Sequence, residues 1–271
     1  LLGSTLGGRD EAIEVMILTL RARPLSQVAD GSALVSGILL GVCLPPFLPL
    51  WLVVIGTVFA LLFGKHLYGG LGHNPFNPAM LGFAMLIVSF PLAMSAWPLA
   101  DHIGFSMADT VLFKLGMPMP DGITMATPLD AFRFRVGTTV DEFNATSIAS
   151  ALVAATWING GFLLGGAYLL WRGIIGWIMP ASMLIGLGLL AMLFHDGGSS
   201  HSLGSPLFHW FSGATMIAAF FVITDPVTSP DGVVGQVLFA GGVALITFVI
   251  RAIGAYPDGI AFAVLLMNAA T

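Results

Sequence analysis

The sequence predicts an all-α integral membrane fold: a polytopic helical bundle with inverted repeats and broken, half-length helices. Three observations carry this. Charged residues are 8% of the chain and hydrophobic ones 57%, whereas a soluble domain carries about 25% charged residues. With a mean hydropathy of +0.95, lipid must be the main solvent. Uncharged apolar runs recur along the chain at about the 20 residues a bilayer helix needs. Finally, two distant stretches echo each other, each a short apolar helix that ends in proline.

The elements follow in order. Residues before Arg21 read as the end of a helix, with Arg9, Asp10, Glu11 and Glu14 as unusual charges in it. The chain opens without Met inside this pattern, which predicts that residues precede it. Gly31 to Gly64 is uncharged. As one helix it would run roughly 50 Å, well beyond a ~30 Å hydrocarbon core. Pro45, Pro46 and Pro49 break it, so two segments are expected, Ser32 to Leu44 and Leu50 to Phe63, the first a half-helix. Further spans are expected at Pro78 to Ala96, Ser147 to Trp171, Gly173 to Phe194, Phe211 to Thr224, Val233 to Ile250 and from Gly259 on. The 34 glycines suit close helix packing in lipid. Two long loops remain, Trp97 to Thr146 and His195 to Trp210.

Short loops rich in Lys and Arg favour the cytoplasm. Arg21 and Arg23 are then inside, as are Lys65 and Arg172. The loop around Asp121 and the stretch His195 to Trp210 fall outside. Arg251 also falls outside, against the rule. Ser32 to Pro46 and Ser212 to Pro226 have equal length and run from serine to proline. Each is followed by a helix ending near a cation, Lys65 or Arg251, and then by a Tyr/Gly/Pro loop. Span counting gives the two copies opposite orientations, a pattern that places sites at repeat interfaces. The chain is read as one membrane domain with halves 1–146, including the outer loop 97–146, and 147–271.

Several residue groups point to chemistry. In Ser212-Gly213-Ala214-Thr215, Ser212 reads as an N-cap and Thr215 as N3 of an apolar helix, where free N–H groups and the dipole suit a phosphate. Capping alone explains the same four residues. The Gly69 to Pro78 stretch offers a Gly-rich turn, Asn74, and Asn77-Pro78 as a helix start. Thr127-Pro128-Leu129-Asp130 reads as a capped helix start. Asp225 and Asp258 sit at apolar borders, where acids default to ion or ligand roles. Lys65 and Arg251 either neutralise a cofactor phosphate or snorkel to the interface. Cys43 is the only cysteine, so this chain alone holds no disulfide and no cysteine-ligated cluster. The six histidines form no metal or haem set, no metal site is expected, and no nucleophile elbow supports a hydrolase. The net charge of -5 offers no basic patch for nucleic acid.

Taken together, Lys65 to Met80, Asp121 to Asp130, Phe211 to Pro226 and Gly254 to Phe262 resemble the RnfD family, membrane components of the Rnf ferredoxin–NAD⁺ oxidoreductase. More distantly they resemble the NqrB proteins of the sodium-pumping NADH–quinone oxidoreductase. The resemblance covers nearly the whole chain. It implies a first helix before residue 1, a basic tail after residue 271, and an inverted-repeat fold like that of urea channels. It implies FMN joined through its phosphate to Thr215 by a flavin transferase at the outer, periplasmic face of the bacterial inner membrane. Ser212, Gly213, Ala214, Lys65, Asn74, Asn77, Thr127 and Asp130 would shape the cofactor site, and Asp225 and Asp258 an ion path. No residue is assigned a catalytic role of its own. A second, noncovalent flavin such as riboflavin is a further possibility. The partners implied are flavin- and iron–sulfur-bearing subunits, and the chain would work as one component of an ion-translocating complex, not alone. Na⁺ or H⁺ would compensate charge as the flavin is reduced. A passive channel for a small polar solute and a cofactor-free membrane scaffold are the competing readings.

Overall fold

The computed structural model describes residues 12–19, 31–68, 73–97, 106–117, 127–135, 137–146, 149–254, 256 and 258–271. Arg9, Asp10, Glu11, Arg21, Arg23, residues 69–72 of the Gly-rich turn, Asp121 and Pro257 lie outside these. Among the described residues every regular element is helical, as the composition predicts. The chain divides into two compact units, Leu1–Ala96 with Phe105–Asp121, and Trp97–Gly104 with Gly122–Thr271. The long segment 97–146 is therefore shared between the units.

In the first unit, a helical stretch at 12–19 precedes α1 (Ser32–Cys43), α2 (Leu50–Leu61), α3 (Pro78–Ser89), α4 (Pro91–Met94) and α5 (Met107–Lys114). The proline break falls where expected. Leu44 turns extended after α1, and Pro49 stands just before α2. The last turn of α2 widens into a π-helix, Leu62–His66. At α3, Asn77 accepts from the Met80 N–H and Pro78 takes the first helical position, the capped start its sequence predicts. Leu40, Leu52, Leu61 and Leu86 are fully buried. A Cβ on Gly82 would lie 2.8 Å from the Gly56 carbonyl oxygen and 2.9 Å from Ala60 Cβ. Only glycine lets α3 come this close to α2, the small-residue packing that membrane helices use.

The second unit runs through α6 (Pro128–Arg133), α7 (Val140–Asn144), α8 (Ala149–Trp171), α9 (Ile178–Leu193) and α10 (Pro206–Phe211). It ends with α11 (Thr215–Ile217), α12 (Val233–Ile253) and α13 (Ile260–Ala270). α12 packs along α9 and against α13, burying Met183, Leu187, Phe239, Ala240, Val243 and Ala244. Among the described residues two helices, Ala151–Trp171 and Val233–Ile253, are long and apolar enough to cross a bilayer, and five shorter apolar helices accompany them. Trp157, Leu164 and Trp171 on α8 are 78%, 74% and 79% exposed. Such side chains suit lipid or a protein neighbour, not water.

Three expectations change. Pro78 to Ala96 is not one span: α3 ends at Ser89, Phe90 leaves the helical region, and α4 is a separate short helix begun by Pro91. Phe211 to Thr224 is not one helix. α10 stops at Phe211, Ser212 is extended, Gly213 is left-handed at φ +61°, and α11 starts at Thr215 before opening into a π-helix, Ala218–Val222. The long loop 97–146 is also not plain loop. It carries α5, α6 and α7, each begun by a Ser or Thr whose hydroxyl accepts the N–H three residues on. The two echoing stretches differ accordingly. Ser32–Cys43 is an unbroken α-helix, whereas its counterpart starts three residues later and is mostly π-helical.

A candidate cofactor site around Thr215

The Ser212–Thr215 stretch does not act as the sequence suggests. Ser212 lies beyond the end of α10 and its hydroxyl donates back to the Phe208 carbonyl. It caps nothing ahead of it, and Thr215 is the first residue of α11, not the third. Two of the backbone N–H groups expected to be free are taken. Ala214 N–H donates to Asp258 Oδ2 at 2.7 Å, and Met216 N–H donates to Asn159 Oδ1 at 3.3 Å. These two helix-end amides are therefore not open to a ligand.

A side-chain cation lies beside Thr215 instead. Thr215 is wholly buried. Its hydroxyl donates to the His209 carbonyl at 2.7 Å, with the Ser212 carbonyl at 3.2 Å. It accepts from Arg251 Nη2 at 3.0 Å. Arg251 sits in the last turn of α12, is 5% exposed, and also donates through Nη1 to the His209 carbonyl at 3.1 Å. Asp258 Oδ1 balances the guanidinium at 3.0 Å. One carboxylate thus fixes both the cation beside Thr215 and the backbone one residue before it.

Glycine is required at the corner. A Cβ on Gly213 would meet Asp258 Oδ2 at 2.5 Å, Leu129 Cδ1 at 2.7 Å and Arg251 Nη2 at 2.8 Å. The positive φ disfavours any side chain as well. The far side is held by Asn159, in the middle of apolar α8 and 2% exposed. Its amide nitrogen donates to the carbonyls of Phe211 at 3.2 Å and Gly213 at 3.1 Å. A lone amide inside an apolar span was the signal that could have pointed to it.

The other predicted residues fall into separate groups. Thr127 and Asp130 bond each other, Asp130 N–H to Thr127 Oγ1 at 3.1 Å and the Thr127 hydroxyl to Asp130 Oδ2 at 2.9 Å. Their helix, α6, reaches the Thr215 site through Leu129. Asp225 ends the Thr215 segment, accepting from Val227 N–H at 3.1 Å and from the Thr228 hydroxyl at 3.2 Å.

Lys65, Asn74 and Asn77 belong to the first unit. Lys65 Nζ is buried against Glu14 Oε1, which His66 Nε2 also meets at 3.1 Å. Asn74 donates to the carbonyls of Phe63 at 2.6 Å and Gly64 at 3.3 Å, backbone oxygens that the π-helical turn frees. Neither Lys65 nor Arg251 is a snorkelling or loop charge, since both are buried with an acid. This gives the physical reason why Arg251 fits the positive-inside rule poorly: a charge paired inside the fold is not a topological signal.

His209, in α10, is 2% exposed. Burial, helped by the neighbouring Arg251 charge, pushes its imidazole down to about 4. It is neutral at pH 7. Among the described residues no group of three or more His, Cys, Asp or Glu is placed to hold a metal ion.

The comparisons with known proteins bear on nearly the whole chain. The NQR2, RnfD, RnfE family matches residues 10–271. A Pseudomonas aeruginosa protein, named as a subunit of an ion-translocating oxidoreductase complex, is 50% identical over 264 residues, 96% of this chain and 76% of that protein. Proteins of the same name from Colwellia psychrerythraea and Sodalis glossinidius are 45% and 44% identical, each match covering 94% of this chain and 78% of the relative. With identity this high over this much of both chains, and with the motif residues gathered around Thr215, the chain belongs to the NQR2, RnfD, RnfE family.

Proposed function

We propose that this chain is an electron-carrying subunit of an ion-translocating oxidoreductase complex in the bacterial inner membrane, with FMN esterified through its phosphate to Thr215. The relatives' name supplies the ion-translocating complex. The observation that carries the cofactor is the buried Arg251 guanidinium 3.0 Å from the wholly buried Thr215 hydroxyl.

The donor set suits the oxygens of a phosphoester, with a guanidinium whose own charge Asp258 already balances. Arg251 is a fork of donors suited to phosphate oxygens. The fit also sets a requirement. The hydroxyl donates to backbone carbonyls, and an ester oxygen has no proton to give them. Thr215 must therefore turn out of this carbonyl pocket when esterified, toward the guanidinium.

When bound, the flavin supplies one- and two-electron transfer. The chain's own residues hold and orient it. Arg251 donates to the phosphate oxygens, Asp258 keeps Arg251 and the Ala214 N–H in register, and Asn159 fixes the carbonyls of Phe211 and Gly213. Asp258 is thus a member of the cofactor site, which leaves Asp225 as the border acid for a charge-compensating Na⁺ or H⁺. In this reading electrons pass between ferredoxin-side and NAD-side centres on partner subunits, a flavin transferase loads Thr215, and that residue lies near the periplasmic face.

The test is flavin fluorescence of the denatured chain in a gel, from cells with an active flavin transferase. A fluorescent wild-type band, a fluorescent Thr215→Ser band and a dark Thr215→Val band are expected. A dark wild-type band would favour a channel or a scaffold.

A further inference from the structure

A cavity of about 250 Å³ opens beside the Thr215 site, between α6, α10 and the end of α12. Arg133, Arg135, Arg251 and His209 line it, with Phe132 and Phe208 as its aromatic wall. Those two rings lie 4.3 Å apart between centroids, tilted by 33°. Arg251 is balanced by Asp258. The other two cations are not balanced. Arg133 Nη2 donates to the Ile253 carbonyl at 3.0 Å. Arg135 lies 3.6 Å over the Phe132 ring, donating to the Phe132 carbonyl at 2.6 Å and to the Ser202 carbonyl. Neither has a carboxylate partner among the described residues. Arg133 Nη1 and Arg135 Nε are buried and bonded to nothing.

His209 completes the set. Its Nε2 donates to the Leu203 carbonyl at 2.9 Å, and Nδ1 is buried without a partner. With Nε2 carrying the proton, Nδ1 is an acceptor. The unsatisfied groups are therefore guanidinium donors that need oxygens and an imidazole nitrogen that needs a donor. Leaving such groups buried and unmet is costly. A carboxylate or a fully ionised phosphate supplies oxygens but no donor. A cyclic imide, with N–H flanked by two carbonyls, supplies both, and the pyrimidine end of a flavin is such an edge.

We propose that this cavity seats the pyrimidine edge of the flavin carried by Thr215, with Arg133 and Arg135 as positioning residues for its carbonyl oxygens. The inference rests on the flavin reading of Thr215. The tether has a short way to go: the guanidinium that touches Thr215 Oγ1 also lines the cavity. Two electrons from an iron–sulfur or similar one-electron donor, taken up with one proton, leave the ring one negative charge richer. Two uncompensated guanidiniums favour that charge state and so raise the flavin's midpoint potential.

The experiment is a redox titration of the purified, flavin-loaded full chain with dithionite, followed by visible absorbance. Wild type is compared with Arg133→Gln/Arg135→Gln, with Arg133→Gln alone, which gives up a single carbonyl bond, and with Arg133→Lys/Arg135→Lys. The reduced-to-oxidised ratio at fixed potential should fall about tenfold in the double Gln variant, about 30 mV for a two-electron couple. It should fall less in Arg133→Gln and recover in the Lys variant, all with wild-type gel fluorescence after denaturation. Unchanged potentials in variants that retain the covalent flavin would overturn this seat for the ring and leave the Thr215 attachment standing. A dark wild-type band would overturn both.

Discussion

Arg251 Nη2 lies 3.0 Å from Thr215 Oγ1, so a cation from the end of one apolar helix meets a hydroxyl at the start of another. The contact is made inside a site where Thr215 has no solvent exposure. Arg251→Gln should cut covalent flavin loading at least tenfold, read as gel fluorescence per chain. It should also destabilise the fold by about 3 kcal/mol, because Asp258 loses its buried partner. Arg251→Lys should recover part of the stability and less of the loading, since an ammonium cannot serve Thr215, His209 and Asp258 with one planar fork.

Gly213→Ala should fail in a different way. The new methyl would fall within 2.8 Å of three groups, one of them the Asp258 carboxylate. It would also sit on a left-handed backbone, so the corner must open. We expect a thermal midpoint lower than that of Gly82→Ala in the first unit, together with loss of flavin. Thermal unfolding of the two variants in detergent, side by side, checks this.

Asn159→Leu keeps the side-chain size but strands the carbonyls of Phe211 and Gly213 and the N–H of Met216. Unmet buried groups cost about 1–3 kcal/mol each. The variant should lose a few kcal/mol and load flavin poorly, while Asn159→Gln recovers little because its amide sits one methylene further out. Chemical denaturation and gel fluorescence together decide it.

His209 gives a pH dependence. Its folded value, about 4, lies below the ordinary imidazole value near 6.5. The unfolded chain therefore binds the proton first as pH falls. The contribution to stability is fully present above about pH 6.5 and is lost as pH drops toward 4, by about 3 kcal/mol at most. Wild type should soften over that window, and His209→Gln should soften less. Equal slopes for the two proteins would contradict the assignment.

In the first unit, Glu14 and Lys65 form a buried pair with His66 on the same carboxylate oxygen. Removing one partner alone, Glu14→Gln or Lys65→Met, should cost about 3–5 kcal/mol. The double variant should cost less than the two singles summed. A double-mutant cycle on thermal stability measures the coupling.

Much of this was legible in the sequence. The spans were set by apolar length, the break after α1 by Pro45, Pro46 and Pro49, and the start of α3 by Asn77 and Pro78. The Thr215 motif was legible as a place but not as a geometry. Ser212 has the right chemistry for a cap, yet Gly213 takes a positive φ, which turns the chain before a helix can begin at Ser212. Arg251, Asp258 and Asn159 come from far along the chain, and their meeting depends on how α8, α12 and α13 pack. Glu14 looked like a blemish in a helix because its partner Lys65 is 51 residues away. Arg133 and Arg135 carried no signal at all. Two arginines in a polar segment are ordinary until packing buries one nitrogen of each and gives them no acid among the described residues.

Mass spectrometry of the peptide containing Thr215, from chain made in cells with an active flavin transferase, decides whether this threonine carries the flavin. An FMN-sized addition located on that threonine and absent from Thr215→Val is expected. An unmodified Thr215 peptide, or the same addition on another residue, would contradict the attachment to Thr215.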